Sequence, residues 1–115
     1  MNWLKLESLD QVKEIKEKSK EKAVLIFKHS TSCSISRTAL DRLERNWKPD
    51  EMSAVDSFCL DLLKHREISN QIAREFSVEH QSPQVLLIEN GKAVYDQSHF
   101  DINYADLYSA SRKKE

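Results

Sequence analysis

Residues 23–43 read AVLIFKHSTSCSISRTALDRL, and the reading of this stretch decides the fold. Ala23 to Phe27 is a short unbroken apolar run, as a strand buried on both faces of a sheet requires. His29 to Ser32 is a polar cluster and reads as a loop. From Ser34 to Trp47 the apolar residues Ile35, Ala39, Leu40, Leu43 and Trp47 fall on one side of a helix, which Pro49 stops. Cys33 therefore stands where a buried strand has just ended and a helix begins. Backbone N–H groups of a helix's first turn have no intrahelical partner, and the helix dipole adds partial positive charge there. Both effects favour a thiolate over a thiol. Thr31 or Ser32 is expected to serve as N-cap. Ser36 lies one turn after Cys33, where its hydroxyl is expected to donate to the sulfur. A hydroxyl cannot close a disulfide, so the motif is Cys-x-x-Ser.

Outward from this stretch, residues 8 to about 21 predict a helix. Ser8 and Gln11 match a capping box, and Leu9, Val12 and Ile15 share a face. Ser57 to Leu62 predicts a strand with Phe58, Leu60 and Leu62 alternating. Ile68, Ile72 and Phe76 mark a third helix. Val85 to Ile88 is a further apolar strand, and Asn90-Gly91 signals a type I′ hairpin. Lys92 to Asp96 returns as its antiparallel partner, with Val94 expected inward. A last helix, Asn103 to about Ser111, presents Leu107 and Ala110 to the sheet. Strands that alternate with helices favour parallel βαβ pairing, and the terminal hairpin adds an antiparallel edge. The expectation is an α/β, thioredoxin-like domain spanning 1–115, with a mixed sheet of four to five strands flanked by helices.

Composition narrows the function classes. The chain has 115 residues, enough for one core and too few for two. Eighteen basic and 19 acidic residues give a formal net charge of −1, which supplies no electrostatic reason for a nucleic-acid or membrane partner. The basic run Arg112-Lys113-Lys114 is read as a solvated end. The opening Met1-Asn2-Trp3 shows no basic-then-apolar pattern, and no apolar run approaches membrane-span length, so a cytoplasmic location is expected. In that setting Cys33 and Cys59 are read as thiols rather than a structural disulfide. Cys59 falls mid-strand, where a buried, inert thiol is expected.

Ser82-Pro83 directly precedes the Val85 strand. X–Pro is the common setting for a cis peptide bond, and the likeness to thioredoxin-fold proteins, in which a cis proline at this point lies against the redox cysteine, implies that Pro83 is cis. With FKHSTSCSISRTALDRL and QSPQVLLIENGKAVYDQSH both in view, and NWLKLESLDQVKEI at the start, nearly the whole chain resembles the bacterial monothiol bacilliredoxins of the YtxJ type. The resemblance implies a thioredoxin-like fold and action on mixed disulfides between protein thiols and bacillithiol, a small-thiol co-substrate, with no resident cofactor. It implies Cys33 as the attacking thiol, Ser36 as a non-resolving partner and Pro83 as the cis proline. S-thiolated proteins and a low-molecular-weight thiol would be the partners. Thr31, Ser32, Ser34, Ile35 and Ser82 would line the small-thiol site, and Arg37 offers a fork for a carboxylate. Two departures stand out. Phe27 occupies the position where thioredoxins bury an acidic residue, and Ser34 stands where bacilliredoxins often carry proline.

Other readings compete. Cys-Ser-Ile-Ser-Arg-Thr-Ala-Leu is similar to the start of the glutaredoxin-linked arsenate reductases, with Arg37 on their arginine, but the helical insertion of those enzymes is missing. Iron–sulfur glutaredoxins carry Cys-Gly-Phe-Ser, whose Gly and Phe are absent here. A non-enzymatic binding module on the same scaffold would leave Cys33 incidental. His29, His65, His80 and His99 are not at metal-ligand spacing; a role near the thiolate is one alternative for His29, and the others are read as surface residues.

Overall fold

The expected alternation of strands and helices is present in the computed structural model, which describes residues 2–112. Lys113 and Lys114 of the basic run lie outside the described residues. Strands β1 (Leu4–Lys5), β2 (Ala23–His29), β3 (Val55–Asp61), β4 (Gln84–Glu89) and β5 (Lys92–Ser98) alternate with helices α1 (Leu9–Lys18), α2 (Ser34–Asn46), α3 (Arg66–Phe76) and α4 (Tyr104–Arg112). They form one sheet in the order β1-β3-β2-β4-β5. The pairs β1–β3 and β2–β3 are parallel, while β4 runs antiparallel to both β2 and β5. The fold is thioredoxin-like, as the order of elements implied.

The local signals act as their chemistry dictates. Ser8 and Gln11 close a reciprocal capping box, with Gln11 N–H donating to Ser8 Oγ at 3.3 Å and Ser8 N–H to Gln11 Oε1 at 3.0 Å. Asn90 and Gly91 both take positive φ, 54° and 75°, as the two-residue hairpin demands. Ser19 anchors that hairpin from the end of α1, accepting from Asn90 N–H through its carbonyl and from Gly91 N–H through Oγ, each at 2.8 Å. Alternation along β2 divides its side chains between two cores. Val24 and Ile26 join Val12, Ile15, Ile68 and Ile72 beneath α1 and α3. Leu25 and Phe27 join Ala39, Leu43 and Leu107 beneath α2 and α4.

Three expectations need correction. Helix α1 stops at Lys18, short of 21, because the Ser19–Lys22 backbone turns back on the helix end. Val94 is 50% exposed rather than inward. The register passes from Leu87↔Tyr95 to Ile88↔Ala93, so Val94 is the extra residue of a bulge and points out. Strand β2 continues through Lys28 and through His29, which was expected to begin a loop. Both pair with β3, and Lys28 also pairs with Gln84 of β4.

Candidate active site

The chain leaves β2 at His29 and turns at once. Cys33 N–H donates to Ser30 C=O at 3.1 Å, closing a turn whose corner is the exposed pair Thr31-Ser32. That turn excludes Thr31 and Ser32 from the helix, so neither is the N-cap. Cys33 itself is the N-cap of α2, with extended backbone (φ −104°, ψ 121°) and no side-chain capping hydrogen bond. The first N–H with a helical acceptor is that of Arg37, which donates to Cys33 C=O at 3.1 Å. The amides of Ser34, Ile35 and Ser36 thus begin the helix without a hydroxyl or carboxylate to cap them, and the N-cap side chain is a thiol. An N-cap side chain normally accepts from the second or third amide of the turn.

Ser36 is fully buried and does not engage the sulfur. Its Oγ accepts from Ser30 N–H at 3.0 Å and lies 2.7 Å from His29 Nδ1. No hydrogen bond joins Ser36 to Cys33 among the described residues. The expected hydroxyl–sulfur bond is replaced by a lock between the first turn of α2 and the end of β2. His29 is 9% exposed and stacks edge-on against Phe27. Burial first, and then the Arg37 guanidinium, push its pKa below the ordinary histidine value, although Asp61 and Glu44 pull the other way. Arg37 itself is exposed, as are Ser34 and Ile35, while Cys33 is half-buried.

On the other side of the loop, Ser82-Pro83 is a cis peptide. Pro83 is buried and precedes Gln84, the register partner of Lys28, so the proline lies alongside the end of β2. Its carbonyl accepts from His99 N–H at 3.0 Å, tying it to the 3₁₀ turn His99–Asp101. Arg42 of α2 donates to the carbonyls of Phe100 and Ile102 and holds that turn against the helix. Pro83 therefore lies on the β4 side of the end of β2, with the 3₁₀ turn bridging it to α2.

Both cysteines are free. Cys59 pairs with Phe27 and Lys5 on β3 and is half-buried. Burial, reinforced by Asp61 and Glu44, pushes its thiol up to about 11, so it remains protonated at neutral pH. His65 is half-buried rather than a surface residue, while His80 and His99 are exposed. Sequence reasoning passed over Lys28, which is fully buried: Nζ lies 3.3 Å from both Ser69 C=O and His80 Nδ1. Desolvation pushes its pKa down to about 8. A single lysine at the end of an apolar run gives no signal of burial, because long ammonium chains usually reach water. Among the described residues, no group of three or more His, Cys, Asp or Glu side chains could hold a metal ion, and no helix is long and apolar enough to cross a membrane.

A five-stranded sheet, a thiol at the start of α2 and a cis proline ahead of β4 define a thioredoxin-fold protein with a thiol redox role. Solved thioredoxins share this fold at low identity. That from Malassezia sympodialis matches with 19% identity and a TM-score of 0.71, covering 95% of this chain and 87% of its own. The thioredoxin of Trypanosoma brucei brucei matches with 17% identity and a TM-score of 0.74, covering 96% and 88%. More similar is a structure described as having a thioredoxin fold, with 34% identity, a TM-score of 0.80, and coverage of 93% of this chain and 91% of that one. The sequence model of the family described as monothiol bacilliredoxin BrxC matches residues 4–107. The chain belongs to the monothiol bacilliredoxin family.

Proposed function

We propose that this protein removes bacillithiol, or a similar low-molecular-weight thiol, from mixed disulfides with protein cysteines. The observation that carries the reading is a free, half-buried thiol, Cys33, at the N-cap of α2, where no side-chain cap is present among the described residues. The start of a helix is a setting in which cysteines commonly act as nucleophiles. The Cys33 thiolate attacks the small-thiol sulfur of the mixed disulfide. A new S–S bond forms, the old one breaks, and the protein cysteine leaves as a thiolate that takes up a proton. Cys33 is then itself thiolated. A second small thiol, or another redoxin, attacks this adduct and returns Cys33 to its starting state.

Ser36 cannot resolve the adduct, which makes an external thiol necessary. Amides of the first turn, with Ser34 and Ile35, hold the incoming disulfide, with the Thr31-Ser32 corner and Ser82-Pro83 as further contacts. Arg37, exposed one turn further along α2, is available to a carboxylate. Mass spectrometry of an S-thiolated protein incubated with wild type and with Cys33→Ala tests the reading. Release by wild type alone is expected; equal release by both would overturn it.

A further inference from the structure

We propose that His29 is a positioning residue for Cys33: its ring holds the Ser36 hydroxyl, and that hydroxyl holds the turn from which Cys33 enters α2. The inference rests on the reading of Cys33 as the nucleophile and adds to it what keeps the sulfur in place. Three hydrogen bonds run in series from the ring to the cysteine. Ser36 Oγ lies 2.7 Å from His29 Nδ1. The same oxygen accepts from Ser30 N–H at 3.0 Å. Ser30 C=O in turn accepts from Cys33 N–H at 3.1 Å. Both backbone polar groups of Ser30 are therefore engaged, one towards His29 and one towards Cys33. Among the described residues, Thr31, Ser32 and Cys33 make no side-chain hydrogen bond that could hold the turn instead.

Counting hydrogens fixes the direction of the first bond. Ser36 Oγ receives Ser30 N–H, and its own single hydrogen has one acceptor in range among the described residues, His29 Nδ1. The ring is therefore bare at Nδ1 and carries its proton on Nε2. A proton on Nδ1 would give Oγ two donors and leave the hydroxyl hydrogen without an acceptor, and Ser36 is fully buried, away from water. Burial and the Arg37 guanidinium keep the ring neutral against the pull of Asp61 and Glu44. The ring is also held in place. His29 pairs with Asp61 in the sheet, and its carbonyl accepts from Leu62 N–H at 3.0 Å. Phe27 meets the ring edge-on, with centroids 5.9 Å apart. A residue fixed by β3 and Phe27 thus fixes, through Ser36 and Ser30, the amide of the nucleophile.

The test follows Cys33 alone. In a Cys59→Ser background, modification of Cys33 by iodoacetamide at pH 7 is read by intact mass, and urea denaturation confirms that each variant is folded. His29→Leu removes the acceptor and should slow modification about tenfold, the weight of one hydrogen bond. Where His29→Leu does not fold, His29→Gln, whose amide oxygen lies one methylene too far, takes its place. His29→Asn puts an oxygen where Nδ1 stands and should return the rate to within about threefold of wild type. Ser36→Ala should slow modification as much as His29→Leu, and the two substitutions together should slow it no further, because both break one series. No loss in His29→Leu, losses that multiply in the double variant, or a His29→Asn no faster than His29→Leu would each overturn the positioning role and leave the proposed function standing. Equal release of the small thiol by wild type and Cys33→Ala would instead overturn the proposed function, whatever these rates.

Discussion

Replacing Lys28 with methionine removes a charge that the fold holds out of water. Burial moves the ammonium's pKa from 10.5 down to about 8. At about 1.4 kcal/mol per decade, that is roughly 3 kcal/mol of native-state preference for the neutral amine. Wild type bears this cost at pH 7, where the amine is still mostly protonated. Methionine fills a similar volume but gives up the contacts to Ser69 C=O and His80 Nδ1, worth about 1 kcal/mol together. Lys28→Met should therefore be more stable than wild type by about 2 kcal/mol at pH 7. The sign reverses with pH. Between 8 and 10.5 the native protein has released a proton that the unfolded chain keeps, so wild type gains stability there and the methionine advantage disappears. Urea denaturation of both proteins at pH 7 and at 10.5 measures the difference, and the titration of Cys59, common to both, cancels. A stability difference that does not change with pH would refute the reasoning.

Four further outcomes follow from the site. Ser36→Ala leaves Ser30 N–H and His29 Nδ1 without their shared partner and should cost about 2 kcal/mol in urea denaturation; an unchanged midpoint would show that the lock contributes nothing. Cys59, pushed from 9.0 to about 11, should alkylate roughly a hundredfold more slowly at pH 7 in the native protein than in urea, read by peptide mass mapping. Because its pKa is raised in the fold, it should also remove stability as pH climbs from 9 to 11. Nitrogen-15 NMR of the histidine rings should show His29 protonated at Nε2 and bare at Nδ1, with a titration midpoint below that of an ordinary histidine.

Much of this molecule was legible from patterns with local causes. The apolar run at Ala23–Phe27, the Asn90-Gly91 turn and the Ser8–Gln11 box each depend on residues close in sequence, and each appears as read. The thiol at the helix entrance was legible for the same reason, and the cis proline through the likeness to thioredoxin-fold proteins. What escaped depends on partners far along the chain. Lys28 is buried because Ser69 and His80 receive it, and neither is adjacent in sequence. Ser36 was read as a partner of the nearby sulfur, but the closer competitors for its hydroxyl, Ser30 N–H and His29 Nδ1, are set by where β2 ends. The N-cap moved from Thr31 or Ser32 to Cys33 because one backbone bond, Cys33 N–H to Ser30 C=O, uses those residues as a turn. Strand β1, of two residues, is too short to show a period and exists through its pairing with β3.

Reactivity of the one N-cap sulfur tests the whole account. In a Cys59→Ser background, the rate at which iodoacetamide modifies Cys33 at pH 7 is measured in the native protein and again in urea. The proposed role of Cys33 as the nucleophile at the start of α2 predicts faster modification in the native protein, despite its partial burial. A native rate equal to or below the unfolded one would contradict it.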